Sequence, residues 1–347
     1  MGKYTVKDIA KIAGVGVGTV SRVINNNPSV KAATREKVMK VIEELNFKPN
    51  SIARDLKRKK HNIIGILING FHNPFFDEIL IEIDKQLKKE NFTSLIQYTE
   101  LDNFEGAIST LINYDVKGII YLGGKSIDKL EGINIPLVLA STAIDKSDSD
   151  KFHIVTINDE IAAYDSIKYL IDTGCKKIGI IVSNFKDELS LKRIKGYKKA
   201  IKEANLEYKI ICEGEYSAKG GYESAKKMCL SERPDGIFAI SDLMAIGASR
   251  YILENGYKIP DDISIMGFDG IEESEYYYPS ITTIKQPRRL MGELATKLLM
   301  DDINKKNQKK KENIRLKVDM IVRESTRKLV KQQKDSTNVE VKYVWKK

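Results

Sequence analysis

The chain has 347 residues, long for a single core and enough for two or three domains, and its 42% hydrophobic content excludes a disordered chain. Its formal charge of +10 is unevenly placed: residues 1–60 hold 14 Lys/Arg against 5 Asp/Glu, while the rest of the chain holds 44 against 43. A basic head on a nearly neutral body is the distribution of a protein that meets a phosphate backbone at one end only; a solvated basic tail accounts for residues 328–347 better than for 1–60, where the charges are interleaved with helical apolar spacing. No apolar run of 18 residues occurs, and the N-terminus reads as polar helix rather than signal peptide. Cys175, Cys212 and Cys229 are odd in number, far apart and without a CxxC spacing, so reduced thiols and a soluble cytoplasmic protein are expected.

In chain order, Thr5 precedes Ile9, Ala10, Ile12 and Ala13 at helical spacing, with Asp8 placed to complete a capping box. Gly14 allows the positive φ of a tight corner, and Val17, Val20, Val23 and Ile24 resume the helical period. Two short helices around a glycine corner predict a helix-turn-helix, whose second helix enters the major groove with Val17, Thr19, Ser21 and Arg22 outward. The glycines at 14, 16 and 18 follow a helix and are spaced GxGxGT, which excludes a dinucleotide loop. At 16 and 18 they lower helix propensity and remove side chains, leaving Val17 to meet a thymine methyl and Arg22 to bond a guanine or, alternatively, a phosphate. After a polar loop with Pro28, Val38, Val41, Ile42 and Leu45 predict a third helix over 33–45, begun at Lys31 without a capping side chain. Asn50 can cap a short helix Ser51–Lys57 carrying Ile52, Ala53 and Leu56, too short to be helical alone in water.

From His61 the pattern becomes strand and helix in alternation. Strands are predicted at Ile63–Ile68, Thr93–Tyr98, Gly118–Leu122 and Pro136–Ala140, then at Ile178–Val182, Ile210–Cys212, Gly236–Ile240 and Ile263–Gly267. Helices fall near 75–90, 104–114, 159–173, 188–204, 219–230, 242–255 and 288–303. Two such series predict two doubly wound parallel lobes with a ligand cleft at the carboxyl ends of their strands. Candidate ligand residues stand just past strands: Asn73, Phe75 and Phe76, then Ser241 and Asp269, with Gln286 farther on. One phenylalanine of the pair suits a core equally well, and Asp269 between Gly267 and Gly270 suits a turn.

Catalytic and metal patterns are absent from the sequence. His61, His72 and His153 lack HxxxH or HxH spacing, Gly124-Lys125-Ser126 lacks the upstream glycine of a phosphate loop, and there is no GxSxG. No enzyme, metal or cofactor is expected. The tail 330–347 is basic, lacks leucine heptads, and alternates like a strand over Val339–Trp345.

The motifs TVKDIAKIAGV, TVSRVIN, TREKVMKVIEELNFKPN and IARDL, continued by NPFF, SDLMAIGA, PDDISIMGFDG and TTIKQPRRLMG, resemble the lactose/galactose repressor (LacI/GalR) family of bacterial transcription regulators, in order and to about Thr326. The resemblance implies a helix-turn-helix domain at 1–48, a hinge helix at 49–60, an N-terminal lobe of periplasmic-binding-protein type at 61–158 and 288–320, and a C-terminal lobe at 159–287 and 321–329. The chain would cross between lobes near Asn158, Pro287 and Met320. DNA contacts fall on Thr5, Val17, Thr19, Ser21, Arg22, Asn25, Asn50, Ala53 and Leu56, with Leu56 wedged into a kinked minor groove. Effector contacts fall on Asn73, Phe75, Phe76, Arg193, Ser241, Asp269 and Gln286, although Arg193 could instead pair with Glu188. Ser241 stands where many sugar binders have asparagine. The implied function is a homodimeric repressor of a near-palindromic operator, controlled by a carbohydrate or sugar phosphate in the cleft. VKAATREKV, VLAST and VTIND resemble the catabolite-control branch, which would put a phosphorylated carrier protein in place of the sugar. A sugar-binding protein without a DNA role is the competing class.

Overall fold

The computed structural model describes residues 4–24, 27–45, 47, 62–70, 73–99, 103–123, 130, 132–143, 151–183, 185, 187–207, 210–304 and 311–329. The chain divides into two compact units, Met1–His61 and Asn62–Lys347. In the first, α1 (Val6–Ala13), α2 (Val17–Ile24) and α3 (Ala32–Glu44) close over Ile9, Ala10, Ala13, Val20, Val23, Val38 and Val41. The capping box forms: Thr5 Oγ1 accepts from the Asp8 N–H, and the Asp8 carboxylate accepts from the Thr5 N–H at 2.8 Å. Gly14 takes φ +60, which lets α2 start after only three intervening residues. Ile12, one of the apolar residues at helical spacing, is 53% exposed, because a three-helix core covers only a narrow stripe of an eight-residue helix. Lys31 precedes α3 without a side-chain cap, as its chemistry dictates.

The second unit contains two six-stranded sheets. Its strands are β1 (Ile63–Asn69), β2 (Thr93–Thr99), β3 (Ile119–Leu122), β4 (Leu137–Ala140), β5 (His153–Ile157), β6 (Ile178–Val182), β7 (Ile210–Glu213), β8 (Gly236–Ala239), β9 (Ser264–Asp269), β10 (Thr282–Lys285), β11 (Asn313–Leu316) and β12 (Asp319–Ile321). The helices are α4 (Asp77–Lys89), α5 (Phe104–Asn113), α6 (Asp159–Asp172), α7 (Glu188–Glu203), α8 (Ala218–Ser231), α9 (Asp242–Glu254), α10 (Glu273–Tyr276) and α11 (Arg288–Ile303). The first sheet has the order β11-β5-β4-β3-β1-β2 and the second β12-β10-β9-β8-β6-β7. All pairings are parallel except that of β10 with β12.

Helices on both faces explain the continuous apolar runs in the central strands. On the first sheet, Ile120, Leu122 and Val155 belong to the core shared with α4 and α11, whereas Ile119, Tyr121 and Ile154 pack with Phe104 and Leu111 of α5. The former core runs on into the second sheet through Ile180, Phe238 and Phe268. In α11, Met291, Ala295, Leu298 and Leu299 are spent on this core.

Four strands, β5, β10, β11 and β12, carry no signal of the expected kind. HIVTI begins with a histidine, and TTIK, NIRL and DMI are three or four residues long and interrupted by charge. Pairing with an existing edge, rather than an apolar run, makes them strands. The chain leaves the first sheet after β5 at Asn158, returns between β10 and α11 at Gln286–Pro287, and crosses again between β11 and β12. The last passage therefore lies at Lys317–Val318, ahead of the expected Met320, which is already inside β12.

Candidate functional site

In the first unit, α2 presents Val17, Ser21 and Arg22 to solvent, with Val17 46% exposed, while Val20 and Val23 hold the helix to the core. Thr19 is half-buried, and the Thr5 hydroxyl is occupied in the capping box, donating to Asp8 at 2.7 Å. Arg22 has no hydrogen-bond or ion-pair partner among the described residues, which leaves its planar fork of donors for a base edge or a phosphate. The loop after α2 is pinned by Arg35, whose Nη2 donates to the Asn27 carbonyl at 2.6 Å. Asn25, Asn50, Ala53 and Leu56, and the hinge helix with them, lie outside the described residues, as do Val339–Trp345.

In the second unit, a buried polar group forms at the carboxyl ends of the second sheet's strands. Arg193, on the inner side of α7, is 5% exposed, and its guanidinium lies 3.8 Å above the ring of Phe268. Its Nε and Nη2 donate to the Asp159 Oδ1 at 3.0 and 2.8 Å, and its Nη1 donates to the carbonyl of Ile240. The partner is therefore Asp159 at the start of α6, and the expected alternative, Glu188, is not used. Burial opposes the charge on Arg193, but the carboxylates of Asp159 and Asp269 hold it protonated beyond its ordinary range. Three of its five N–H groups are engaged, which leaves two for a ligand.

Asp269 ends β9 with φ +114, a conformation side chains rarely adopt and one that costs on the order of 1–3 kcal/mol. Its Oδ2 accepts from the Tyr216 hydroxyl at 3.0 Å and its Oδ1 from the Gln286 Nε2 at 2.9 Å. Burial pushes its carboxyl up to about 6, against the pull of Arg193, Tyr216 and Gln286. Burial, and next the Asp269 carboxylate, keeps the Tyr216 phenol protonated. Ser241 caps α9, its buried hydroxyl accepting from the Met244 N–H at 3.2 Å, and it follows directly on the Ile240 carbonyl that Arg193 bonds. The structure thus brings Arg193, Asp269 and Gln286 together, with Ser241 beside them at the start of α9. Strained backbone, a carboxylate with acceptor capacity left and a cation with donors left form an arrangement that can bind a hydroxylated molecule by paired hydrogen bonds.

Asn73, Phe75 and Phe76 are not joined to that network. The Asn73 Oδ1 accepts from the Phe75 N–H at 3.0 Å and caps a single 3-10 turn, Pro74–Phe76. Both phenylalanines are buried in the main core, edge to face at 5.2 Å, so neither ring offers an open face for stacking. The turn's geometry forces this: Pro74 fixes its first residue, and the turn runs straight into α4, which sets both rings on the core side.

Four members of the network were not legible beforehand. Tyr216 stands in a loop without apolar period, and Asp159 reads as an ordinary first-turn acid. Asp242 is fully buried beneath the site, where its Oδ1 accepts from the Thr283 hydroxyl at 2.6 Å and its Oδ2 from the Ile271 N–H at 2.8 Å; burial, and next Asp269, pushes it up to about 8. Arg288, buried at the second crossing, donates from Nη2 to the Gly270 carbonyl at 2.9 Å and places Nε 3.5 Å from Glu78 of α4, tying the two sheets' layers together. Among the described residues no group of three His, Cys, Asp or Glu could hold a metal ion, and no helix is long and apolar enough to cross a membrane.

Residues 5–50 match the model of bacterial regulatory proteins of the lacI family, and residues 167–326 that of the periplasmic binding protein-like domain. The chain is 38% identical to the HTH-type transcriptional regulator MalR of Clostridium butyricum, over 92% of this chain and 98% of that one. Its structure is similar to that of the lac repressor dimer bound to operator and the anti-inducer ONPF, with a TM-score of 0.77 at 26% identity, covering 93% and 99% of the two chains. It is also similar to the CelR–cellobiose complex, with a TM-score of 0.70 at 26% identity over 93% and 100%. With a helix-turn-helix head, two parallel-sheet layers joined by three passages, and similarity maintained along nearly the whole of both chains, the protein belongs to the LacI family of DNA-binding bacterial transcriptional regulators.

Proposed function

We propose that the protein is a homodimeric repressor whose affinity for a near-palindromic operator is set by a hydroxylated small molecule, a mono- or disaccharide, held by Arg193, Asp269 and Gln286. The observation that carries this reading is Asp269: a buried carboxylate held at positive φ, bonded by Gln286 at the second crossing and facing an arginine with donors to spare. A site built into a crossing senses the relation of the two layers, and a coupling of about 1–3 kcal/mol would suffice to switch operator occupancy. The cellobiose in the CelR complex supports the ligand class by similarity. Val17 and Arg22 are the proposed base readers, and Leu56 the proposed minor-groove wedge.

The test begins with selection of duplexes from a random pool, followed by anisotropy titrations of the selected duplex with maltose, cellobiose and ribose. One sugar is expected to change operator affinity at least about fivefold. Asp269→Asn should abolish that change without altering affinity in the absence of sugar, and Leu56→Ala should lose specific binding while keeping salt-sensitive non-specific binding. Failure of every sugar, together with tighter DNA binding in the presence of a seryl-phosphorylated carrier protein, would replace the sugar with a protein corepressor.

A further inference from the structure

A cavity of about 390 Å³ meets the Asp269 network only at Asp159, and its lining includes none of Arg193, Ser241, Asp269 and Gln286. One wall is Thr142 with Ile154 and Thr156 of β5 and Asn313 and Arg315 of β11. Ile154 belongs to the core on the α5 side of the first sheet, and strand alternation puts Thr156 on that side too, opposite the core that holds Phe75 and Phe76. The facing wall is Glu188, Leu191, Lys192 and Lys195, one stripe of α7 at spacings of three and four, distinct from the side that carries Arg193. Asn158, Asp159 and Glu160, at the first passage between the sheets, close the floor.

Two features mark this cavity as a site. Thr142 is 1% exposed; its carbonyl accepts from the Thr156 hydroxyl at 2.9 Å, yet its own hydroxyl is buried without a partner among the described residues, an arrangement native proteins seldom leave unanswered. The second is charge. Asp159 is neutralised by Arg193, Glu160 pairs with Lys195 at 2.8 Å, and Glu188 and Lys192, of opposite charge and one helical turn apart, each have an interaction of their own, whereas Arg315 is exposed at the rim and has no partner among the described residues. The amide of Asn313 and the Asn158 NH2, whose companion oxygen caps α6, add neutral donors.

We propose that this cavity is a second small-molecule site, taking a hydroxylated molecule of about hexose size that carries one anionic group. Arg315 bonds the anion, Asn158 and Asn313 bond hydroxyls, and the Thr142 hydroxyl turns toward the occupant. Because Asp159 both lines the cavity and holds Arg193, occupancy bears on the Arg193 network from the opposite side. The proposal does not depend on which ligand the Asp269 network takes.

Gluconate is the probe, glucose its neutral counterpart of the same size, and sodium chloride the ionic-strength control. Calorimetric titration and thermal melting of the full-length protein are expected to show saturable gluconate binding at millimolar concentration, with glucose binding at least about tenfold weaker. Arg315→Ala, a change at an exposed position, should weaken gluconate by a similar factor without shifting the melting temperature of the free protein, and Asp269→Asn should leave gluconate binding intact. Absence of saturable gluconate binding overturns the proposal. So does equal binding by Arg315→Ala, and so does loss in Asp269→Asn with retention in Arg315→Ala, which would place gluconate in the other site.

Discussion

Asp242 gives the sharpest test of the buried network, because its electrostatics predict a slope as well as a sign. It is fully buried, forms no ion pair among the described residues, and is pushed up to about 8 by burial and then by Asp269. An unfolded chain releases this proton near pH 4. The folded chain therefore holds a proton that the unfolded chain has lost, so the stabilisation is complete below about pH 4 and is lost as pH rises through about 8. Between those limits this one group removes about 1.4 kcal/mol of folding stability per pH unit, on the order of 4 kcal/mol by pH 7. Asp242→Asn removes the titration while keeping the bonds: the amide oxygen can accept from the Ile271 N–H, the NH2 can donate to Thr283, and the Thr283 hydroxyl can turn to the Ile284 carbonyl 3.5 Å away. Urea unfolding of the full chain followed by tryptophan-independent far-UV dichroism, at intervals from pH 5 to pH 8, should show a shallower fall for the variant and a variant more stable than the wild type at pH 8. A smaller fall that ends near pH 6, from Asp269, should remain in both. Parallel profiles for the two proteins would refute the assignment of a protonated Asp242.

Arg193→Met strands the buried Asp159 and should cost the second unit about 3–5 kcal/mol; adding Asp159→Leu should return most of it in urea titrations without restoring any ligand response. Thr5→Ala removes the helix cap and should destabilise the head by about 1 kcal/mol, read as faster amide exchange confined to α1–α3. Gly18→Ala meets no atom within 4 Å and lies in the first turn of α2, so it should slow exchange in α2 by an amount equivalent to no more than about 1 kcal/mol, and a destabilised head would contradict the open surface seen there. Raising salt should weaken the wild type and Arg22→Ala by similar factors if Arg22 reads a base, whereas a flatter salt dependence in the variant would assign it to a phosphate.

The sequence by itself determined the elements whose causes are local. The Thr5–Asp8 box, the Gly14 corner and the valine spacing of α2 each need only a few neighbouring residues, and each lies where the residues predict it. The strand segments Ile63–Ile68 and Ile178–Val182 carry no polar side chain because helices cover both faces of a parallel sheet, so burial is written into the residues themselves. Tertiary structure decided what depends on partners far along the chain. TTIK, NIRL and DMI become strands only because β9, β5 and β10 offer them open edges. Phe75 and Phe76 follow a strand as ligand-stacking rings would, but the cores of α4 and β3 claim them. Arg193 finds Asp159, 34 residues away, in preference to the Glu188 of its own helix, and Asp269 finds Tyr216 across 53 residues. Hydrophobic period is a property of adjacent residues, whereas the pairing of buried charges is fixed by which chain segments the two sheets bring together, and that choice is made by the fold as a whole.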